Sequence, residues 1–276
     1  MTAAEAMVAA TARLRAAGVP DPARDARILL AHAAQVDAAR VTLIAPEDIA
    51  PEIEERFEKL ISLRAVRVPV SHLIGEREFY GRSFKVSSEV LDPRPETETL
   101  IEAALAEPFG HLLDLGTGSG CILVTLLAER DRATGTGVDM SAAACLQASA
   151  NAVLNGVAPR AEILQSDWFS AVTDQFDLIV ANPPYLAAHE MHGVAPELRD
   201  HEPRMALTDE GDGLSAYQVI ASGAQKHLVP GGRVLVEIGW TRGPAVCEIF
   251  RKAGWTCLDL LPDPDGRDRV VQARLR

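Results

Sequence analysis

A chain of 276 residues with 47% hydrophobic and 24% charged side chains has globular composition and is long enough for one large domain or two ordinary ones. This excludes a wholly disordered chain, a fibre or a disulfide-stapled miniprotein, and no run approaches the ~20 apolar residues of a membrane span. The net charge of −12 speaks against a nucleic-acid binder that relies on a broad basic surface, and it is uneven: residues 1–90 carry 12 basic and 13 acidic side chains, residues 91–276 carry 15 and 26.

Residues 1–10 contain Glu5 and lack a basic leader, so they read as the start of a helix rather than an export signal, and a cytoplasmic protein is expected. Residues 1–70 show helical patterns and no strand signal. An Ala-rich helix over 2–17 stops at Gly18. Asp21-Pro22 then supplies an N-cap and a first-position proline for a helix over 23–34. In 51–67 the residues Ile53, Phe57, Leu60 and Ile61 fall on one helical face. These patterns predict a small helical bundle.

Over 71–91 the aromatic and β-branched residues around Gly81-Arg82, including His72-Leu73-Ile74, suggest a β-hairpin that links two domains. Asp92-Pro93-Arg94-Pro95 breaks regular structure, and a second domain over 92–276 begins there. Strands are expected at 111–115, 136–138, 162–164, 176–181, 233–238, 255–261 and 270–275, alternating with helices at 121–130, 142–155, 214–228 and 244–253. Such alternation gives a mostly parallel sheet covered on both faces. The linker 262–267 is too short for a parallel crossover, so the last two strands should be antiparallel.

Asp114-Leu115-Gly116-Thr117-Gly118-Ser119-Gly120 joins the first strand to the first helix, where an open α/β sheet holds its ligand. Glycine allows tight turning and close approach of ligand to backbone. The spacing is G-x-G-x-G, so the dinucleotide fingerprint of dehydrogenases is not met. The next strand ends in Asp139, whose carboxylate can accept both hydroxyls of an adenosine ribose; capping the helix that starts near Ser141 is the plainer alternative. After the third strand, Asp167 offers an acceptor for an exocyclic amine and Trp168 a ring to cover a purine.

Asn182-Pro183-Pro184-Tyr185 comes directly after an apolar strand. A residue before proline is held extended, and the two prolines stiffen the segment into which they lead. The Asn182 side-chain oxygen and the Pro183 carbonyl can each take one N–H of a planar NH2 group, with the Tyr185 ring against its face. The nitrogen lone pair of such a group is delocalised; anchoring both hydrogens favours the pyramidal geometry that releases it toward an electrophilic methyl. Positioning of this kind can be worth ~7–11 kcal/mol and needs no metal. No metal is expected from the sequence either. His189-Glu190-Met191-His192 lacks the H-E-x-x-H spacing, and Cys121, Cys145, Cys247 and Cys257 form no CxxC pair and read as buried free thiols.

The glycine loop with Asp139 and Asn182-Pro183-Pro184-Tyr185 resembles the class I S-adenosylmethionine-dependent methyltransferases that modify planar nitrogens. Pro93-Arg94-Pro95-Glu96-Thr97-Glu98 narrows the resemblance to the HemK/PrmC family, the peptide chain release factor glutamine N5-methyltransferases. The likeness extends over nearly the whole chain, through Glu202-Pro203, Ala206-Leu207, Asp212-Gly213-Leu214 and Glu237-Ile238-Gly239. It implies an α/β fold in which a Rossmann-like sheet of seven strands, the last pair antiparallel, is joined by the hairpin linker to a substrate-docking helical bundle. The activity it implies is methyl transfer from S-adenosylmethionine, leaving S-adenosylhomocysteine, to the glutamine amide of the Gly-Gly-Gln motif in class I release factors, modulating translation termination.

By the same resemblance Gly116, Thr117, Gly118, Ser119 and Gly120 line the cofactor, with Asp139 at the ribose, Asp167 and Trp168 at the adenine, and Asn182 bordering both ligands. Asn182, Pro183, Pro184 and Tyr185 hold the target amide, with Asn182, Pro183 and Tyr185 as the catalytic set. His72 stands where the family often has an aromatic, and Glu96 where it often has Asp. A ribosomal-protein glutamine methyltransferase or an adenine-N6 DNA methyltransferase would share the Asn-Pro-Pro-Tyr chemistry, but the acidic second domain and the lack of a basic recognition insertion disfavour DNA. A monomer is expected. Glu96 and Glu98 read equally as a substrate entrance or as acids favoured at a helix start. Arg64, Arg67, Arg77, Arg82 and Lys85 are either simply solvated or positioned to meet an acidic partner.

Overall fold

The computed structural model describes residues 1–275, the Cys257 side chain excepted, so the expected thiol at Cys257 lies outside the described residues. The chain divides into two compact units: Met1–Glu76 together with Ala195–His201, and the rest of the described chain. None of the described helices is long and apolar enough to cross a membrane.

The first unit is helical. Helix α1 (Ala3–Ala16) starts in a capping box, the Thr2 hydroxyl accepting the Glu5 N–H while the Glu5 carboxylate accepts the Thr2 N–H. Helix α2 (Pro22–Ala34) is capped by Asp21 with Pro22 at its first position. A single turn, α3 (Val41–Ile44), precedes α4 (Pro51–Ala65) and α5 (Val70–Ile74). Leu14, Leu29, Leu30, Phe57 and Ile61 fill the core. Helix α5 corrects the expected hairpin at its N-terminal end: Ser71-His72-Leu73-Ile74 form one helical turn between Pro69 and Gly75, which stops it in the left-handed region at φ +79°.

A later helix, Pro196–His201 (α9 in chain order), belongs to this unit and brings Glu197 to two arginines of α4 and its end. Glu197 accepts from Arg64 at 2.9 Å and from Arg67 at 2.7 and 2.6 Å, and Arg64 also donates to Asp25 at 2.7 Å. Burial disfavours the Glu197 carboxylate, but the Arg67 and Arg64 hydrogen bonds outweigh it and hold its pKa below the usual range. Two of the basic side chains that the sequence offers as solvated or partner-facing are therefore committed inside their own unit.

A hairpin, β1 (Glu76–Phe79) and β2 (Arg82–Lys85), begins at the last residue of the first unit and continues into the second, and its two-residue turn Tyr80-Gly81 has φ of 49° and 70°. Arg82 is paired with Glu129 at 2.6 Å. Helix α6 (Glu98–Leu105) leads to β3 (His111–Leu115), α7 (Cys121–Glu129), β4 (Thr134–Asp139), α8 (Ala142–Leu154), β5 (Ala161–Gln165) and β6 (Phe176–Ala181). After α10 (Arg204–Leu207) and α11 (Ser215–Gly223) come β7 (Leu228–Glu237), α12 (Gly243–Lys252), β8 (Cys257–Pro262) and β9 (Asp268–Arg274).

The seven-stranded sheet runs β5-β4-β3-β6-β7-β9-β8, parallel from β5 through β7, with β9 antiparallel to both its neighbours. This is the expected class I sheet with its antiparallel last pair. Successive residues of a strand point to opposite faces. Leu113 and Ile179 accordingly meet Tyr217 and Ile220 of α11 and Phe250 of α12 on one face. Leu112 and Leu178 meet Ile101 of α6 and Leu123 of α7 on the other. Gly135 and Gly137 in β4 let α7 close on the sheet, since a Cβ at either would lie 2.8 or 2.9 Å from a Leu123 methyl.

Two boundaries differ most from expectation. Helix α11 gives way at Ala224 to a 3-10 turn, and Pro230-Gly231-Gly232, expected to precede the strand, lie within β7 as an irregularity between the pairings Phe176 with Leu228 and Leu178 with Arg233. A local bulge accommodates the proline, which has no N–H for the ladder. Arg233, almost fully buried, donates to the carbonyls of Ala103, Ala104 and Glu107 and so closes the C-terminal end of α6.

The buried ion cluster yields a stability contrast. Arg64→Ala leaves Asp25 in the core without its cation and is expected to cost about 3 kcal/mol in urea unfolding. Arg13→Ala, which removes a pair whose side chains are 47% and 53% exposed, should cost less than about 1 kcal/mol. Equal midpoints for the two variants would contradict the assignment.

Candidate functional site

Strands β4 and β6 flank β3, so the strand order reverses there and the carboxyl ends of the strands open a crevice. A cavity of 450 Å³ occupies it. Gly116, Thr117, Gly118 and Ser119 line it from the end of β3, Asp139 from β4, Asp167 and Trp168 from β5, and Asn182, Pro183 and Pro184 from β6. Of the residues assigned by sequence to the cofactor and the target amide, Gly120 and Tyr185 do not line this wall.

The three glycines serve different ends. Gly116 and Gly118 have φ of +69° and +55°, and no atom would lie within 4 Å of a Cβ at Gly116. Gly120, at φ +79°, starts α7, and a Cβ there would come within 3.1 Å of Ala148 on α8, so this glycine permits helix packing. Beneath the loop, Asp114 Oδ2 accepts the Thr117 hydroxyl at 2.7 Å and the Leu123 N–H at 3.3 Å. Burial pushes the Asp114 carboxyl up to about 7 against those hydrogen bonds. Asn151 of α8 donates to the Ser119 carbonyl at 2.8 Å and pairs with the Lys85 backbone, fixing the far side of the loop.

Asp139 is not the cap of α8. Ser141 fills that position, its hydroxyl accepting the Ala144 N–H, while the Asp139 oxygens accept one N–H each, from Gly118 and Ser141, both at 2.9 Å. Each carboxylate oxygen retains a further acceptor site, enough for two vicinal hydroxyls. Trp168 is held at φ +49°, in the left-handed region, with its carbonyl accepting from the Ser166 hydroxyl at 2.9 Å. Such strain is characteristic of functional sites.

At the end of β6 the Asn182 carboxamide donates through Nδ2 to Thr97 Oγ1 at 3.2 Å, which leaves Oδ1 as its acceptor. Beside Thr97 lies the buried carboxyl of Glu237, at the end of β7, whose Oε2 has no hydrogen-bond partner. Burial pushes Glu237 up to about 7, opposed by the nearby Thr97 hydroxyl and by Arg269. The Tyr185 ring packs into the core beside Gly239, where a Cβ would lie 3.2 Å from it, and burial pushes its phenol up to about 12. The segment after Tyr185 is braced by a loop: Leu186 donates to Leu207, Ala188 donates to Gly211, and a Cβ at Gly213 would strike the Tyr185 carbonyl oxygen at 2.3 Å. Asp209 ties that loop. Burial opposes its ionisation, but the Ser215 hydroxyl and the N–H groups of Gly211, Ser215 and Gly213 hold it at about 2.

In the Pro93–Glu98 stretch Pro93, Arg94 and Thr97 line the cavity; Glu96 and Glu98 do not, and Glu98 opens α6, where a helix start favours an acid. Arg94 donates to both carboxylate oxygens of Glu202. Glu190, in the histidine-flanked stretch, accepts from the Ala187 N–H and from Arg242. Sequence reasoning passes over Thr97 because a threonine at a helix start defaults to capping, and over Asp114 because it reads as part of the glycine loop. Gly213 stands out in the sequence only within a shared motif, yet it is the residue that lets the brace approach Tyr185.

Residues 5–75 match the family described as PrmC N-terminal domain, and residues 86–238 match the methyltransferase small domain. A release factor glutamine methyltransferase of Cereibacter sphaeroides is 56% identical over 275 residues, covering 100% of this chain and 99% of its own. The chain belongs to the release factor glutamine methyltransferase family. Another member, from Agrobacterium fabrum, is 39% identical over 276 residues, covering 97% of this chain and 96% of its own. Among solved structures, the T. thermophilus 16S rRNA N2 G1207 methyltransferase in complex with S-adenosylmethionine and guanosine shares the fold, with a TM-score of 0.50 at 22% identity over 73% of this chain and 50% of that one.

As a member of the release factor glutamine methyltransferase family, the protein uses S-adenosylmethionine, and the cavity fits it. The open Cα faces of Gly116 and Gly118 admit close backbone contact, Asp139 keeps an acceptor for each ribose hydroxyl, and Trp168 offers a half-buried ring beside Asp167.

The geometry of the brace and of the buried carboxyls can be tested separately. Gly213→Ala should displace the Tyr185 backbone and lower turnover about a hundredfold with cofactor affinity retained, measured by steady-state kinetics and calorimetry; wild-type turnover would contradict the brace. Asp114 and Glu237 have pKa values raised from 3.8 and 4.5 to about 7, so the folded protein keeps protons that the unfolded chain releases. Their contribution to stability is full below pH ~4 and is lost as pH rises to about 7. Asp114→Asn, which keeps an acceptor for Thr117, is therefore expected to flatten the fall in urea stability between about pH 5 and pH 8. An unchanged slope would contradict the buried neutral carboxyl.

Proposed function

We propose that the protein methylates the side-chain amide nitrogen of the glutamine in the Gly-Gly-Gln motif of class I peptide chain release factors, acting as a cytoplasmic monomer. The observation that carries the acceptor assignment is the Asn182 carboxamide: its NH2 is committed to Thr97, so its oxygen remains for the target beside the rigid Pro183-Pro184 pair.

Bound at the glycine loop, S-adenosylmethionine supplies a sulfonium methyl. Gly116, Thr117, Gly118 and Ser119 hold its chain, Asp139 its ribose, and Asp167 and Trp168 its adenine. Gly120 supports the loop by letting α7 lie against α8. Asn182 Oδ1 and the Pro183 carbonyl accept the two hydrogens of the glutamine amide, Pro184 keeps the segment rigid, and Tyr185 flanks it. With both hydrogens anchored, the nitrogen lone pair is turned out of conjugation toward the methyl group, and the positive charge that develops on nitrogen is met by two oxygen acceptors. The new N–CH3 bond would form as the S–CH3 bond breaks and the neutral thioether leaves, and no strong base is needed because the nitrogen, once it carries a fourth bond, is acidic enough to give up one proton to water.

The chemistry would also serve an adenine amine, but the two arginines of the wall are each paired with a carboxylate, Arg94 with Glu202 and Arg204 with Glu210. Duplex DNA would demand phosphate contacts that a half-chain with 15 basic and 26 acidic side chains is poorly placed to make.

Mass spectrometry of a release factor incubated with the protein and S-adenosylmethionine should show one methyl on the loop glutamine and none on a Gln→Ala loop control. A ribosomal protein and a DNA duplex run in parallel should stay unmodified; methylation of either in preference to the release factor would overturn the substrate assignment. Asn182→Ala should cut turnover at least about a hundredfold while cofactor affinity stays within about threefold, and Asp139→Ala should weaken cofactor binding first. Equal losses in both quantities for Asn182→Ala would remove its assigned role.

A further inference from the structure

The three tryptophans of the chain stand in different surroundings. Trp255 is buried and donates its indole N–H to the Ala221 carbonyl at 2.8 Å, and Trp168 is half-buried at the cavity. Trp240 is 61% exposed, and among the described residues its indole makes no hydrogen bond and stacks on no other ring. One exposed apolar side chain needs no explanation by itself. Its position in the fold supplies the argument.

That position is fixed by a tight turn. The Arg242 N–H donates to the Gly239 carbonyl at 2.7 Å, so Trp240 and Thr241 are the two corner residues between the end of β7 and the start of α12. Gly239 lies against the Tyr185 ring, where a Cβ would come within 3.2 Å of Cδ2. Consecutive Cα atoms are 3.8 Å apart, which puts the Trp240 backbone within about 9 Å of that ring. Because β7 pairs with β6, the turn stands on the carboxyl edge of the sheet one strand from Asn182.

The backbone after Tyr185 is held by the loop in which Leu207 accepts from Leu186 and Gly213 meets the Tyr185 carbonyl. That loop carries Met205, which is 49% exposed and lines the cavity. Met140 and Val219 are also exposed and line the cavity, from the end of β4 and from α11, but neither belongs to the turn or the loop that touches Tyr185. The cations beside the two rim residues are already paired, Arg204 with Glu210 and Arg242 with Glu190. Tryptophan and methionine are the side chains that protein interfaces favour, and charged groups are the ones that interface centres exclude.

We propose that Trp240 and Met205 form a docking rim for the substrate loop, with the indole lying against the glycines that precede the target glutamine. The proposal rests on the release factor reading given above. A glutamine whose amide reaches Asn182 keeps its backbone at the mouth of the cavity, so the residues next to it cross the rim. Two glycines offer no side chain to a pocket and no charge to an ion pair. What they present is a flat peptide face with bare Cα atoms, which a ring can lie against and which a Cβ would lift away. An uncharged rim matches an uncharged motif.

The test is a double-mutant cycle between the full-length protein and a release factor in which the glycine next to the glutamine is changed, Gly→Ala. Trp240→Ala is expected to raise KM for the release factor about thirtyfold, with kcat at saturation and calorimetric affinity for S-adenosylmethionine within about twofold of the wild type. Met205→Ala should raise KM about fivefold, and Trp240→Phe should recover it to within about threefold of the wild type. Leu146→Ala, at a 73% exposed position on α8, should leave all three quantities unchanged. Every variant should unfold at the wild-type midpoint, as surface substitutions do. The loop Gly→Ala change should raise KM about tenfold more on the wild-type enzyme than on Trp240→Ala, where the ring it would strike is gone.

Equal effects of the glycine change on the two enzymes, a wild-type KM in Trp240→Ala, or a fall in kcat or cofactor affinity in place of the rise in KM would overturn the docking assignment and leave the substrate reading standing. A wild-type protein that left the release factor glutamine unmodified would instead remove the substrate reading, and with it the partner assigned to this rim.

Discussion

A carboxyl group taken out of water must be neutral, paired or hydrogen-bonded, and the second unit buries Asp92, Asp114, Glu202 and Glu237, two of them on strands of its sheet. Asp114 ends β3 and Glu237 ends β7, with β6 between them in the sheet. Asp114 accepts the Thr117 hydroxyl, whereas Glu237 lies beside Thr97 with its Oε2 unpartnered. The first contact pins the glycine loop against the sheet; near the second, Thr97 at the start of α6 accepts from the carboxamide of Asn182.

The negative balance of the second unit takes on a different meaning in this light. Several of its acids act as scaffolding: Asp139 gathers the N–H groups of Gly118 and Ser141, Asp209 ties the loop that braces Tyr185, and Glu190 and Glu202 each hold an arginine. A simple charge count treats these groups as a field presented to a partner. In the folded chain they are largely spent on the backbone and on arginines of the same unit, and the wall they support is neutral at Asn182, Pro183 and Pro184.

Much of this is legible in the sequence because it obeys local rules. Strand periodicity, glycines after the first strand, an acid at the end of the second and Asn-Pro-Pro-Tyr at the end of the apolar strand are enough to locate the crevice. Ser71 to Ile74 read as strand because four residues bounded by Pro69 and Gly75 are too few for periodicity to separate a helical turn from a β run. Pro230-Gly231-Gly232 looks like a terminator because the bulge that absorbs it depends on the facing strand. Thr97 is invisible for a deeper reason. Its partner lies 85 residues away, and the local signal at its position points to capping, the role it has given up. Likewise Arg64 and Arg67 read as surface charge because Glu197 lies 133 and 130 residues further along the chain.

That last separation bears on how the protein is made. A chain emerging from the ribosome folds its N-terminal portion first, yet the helical unit does not possess all of its parts until Ala195–His201 has been synthesised. Until then Arg64 has Asp25 alone and Arg67 has no carboxylate beside it, so the nascent bundle carries unbalanced positive charge at one position that ends up buried and one that ends up half-buried. The last piece of the bundle is therefore supplied only after residues 77–194 have been made, and any fragment that stops short of residue 195 would contain the first 76 residues without the helix that brings Glu197 to Arg64 and Arg67.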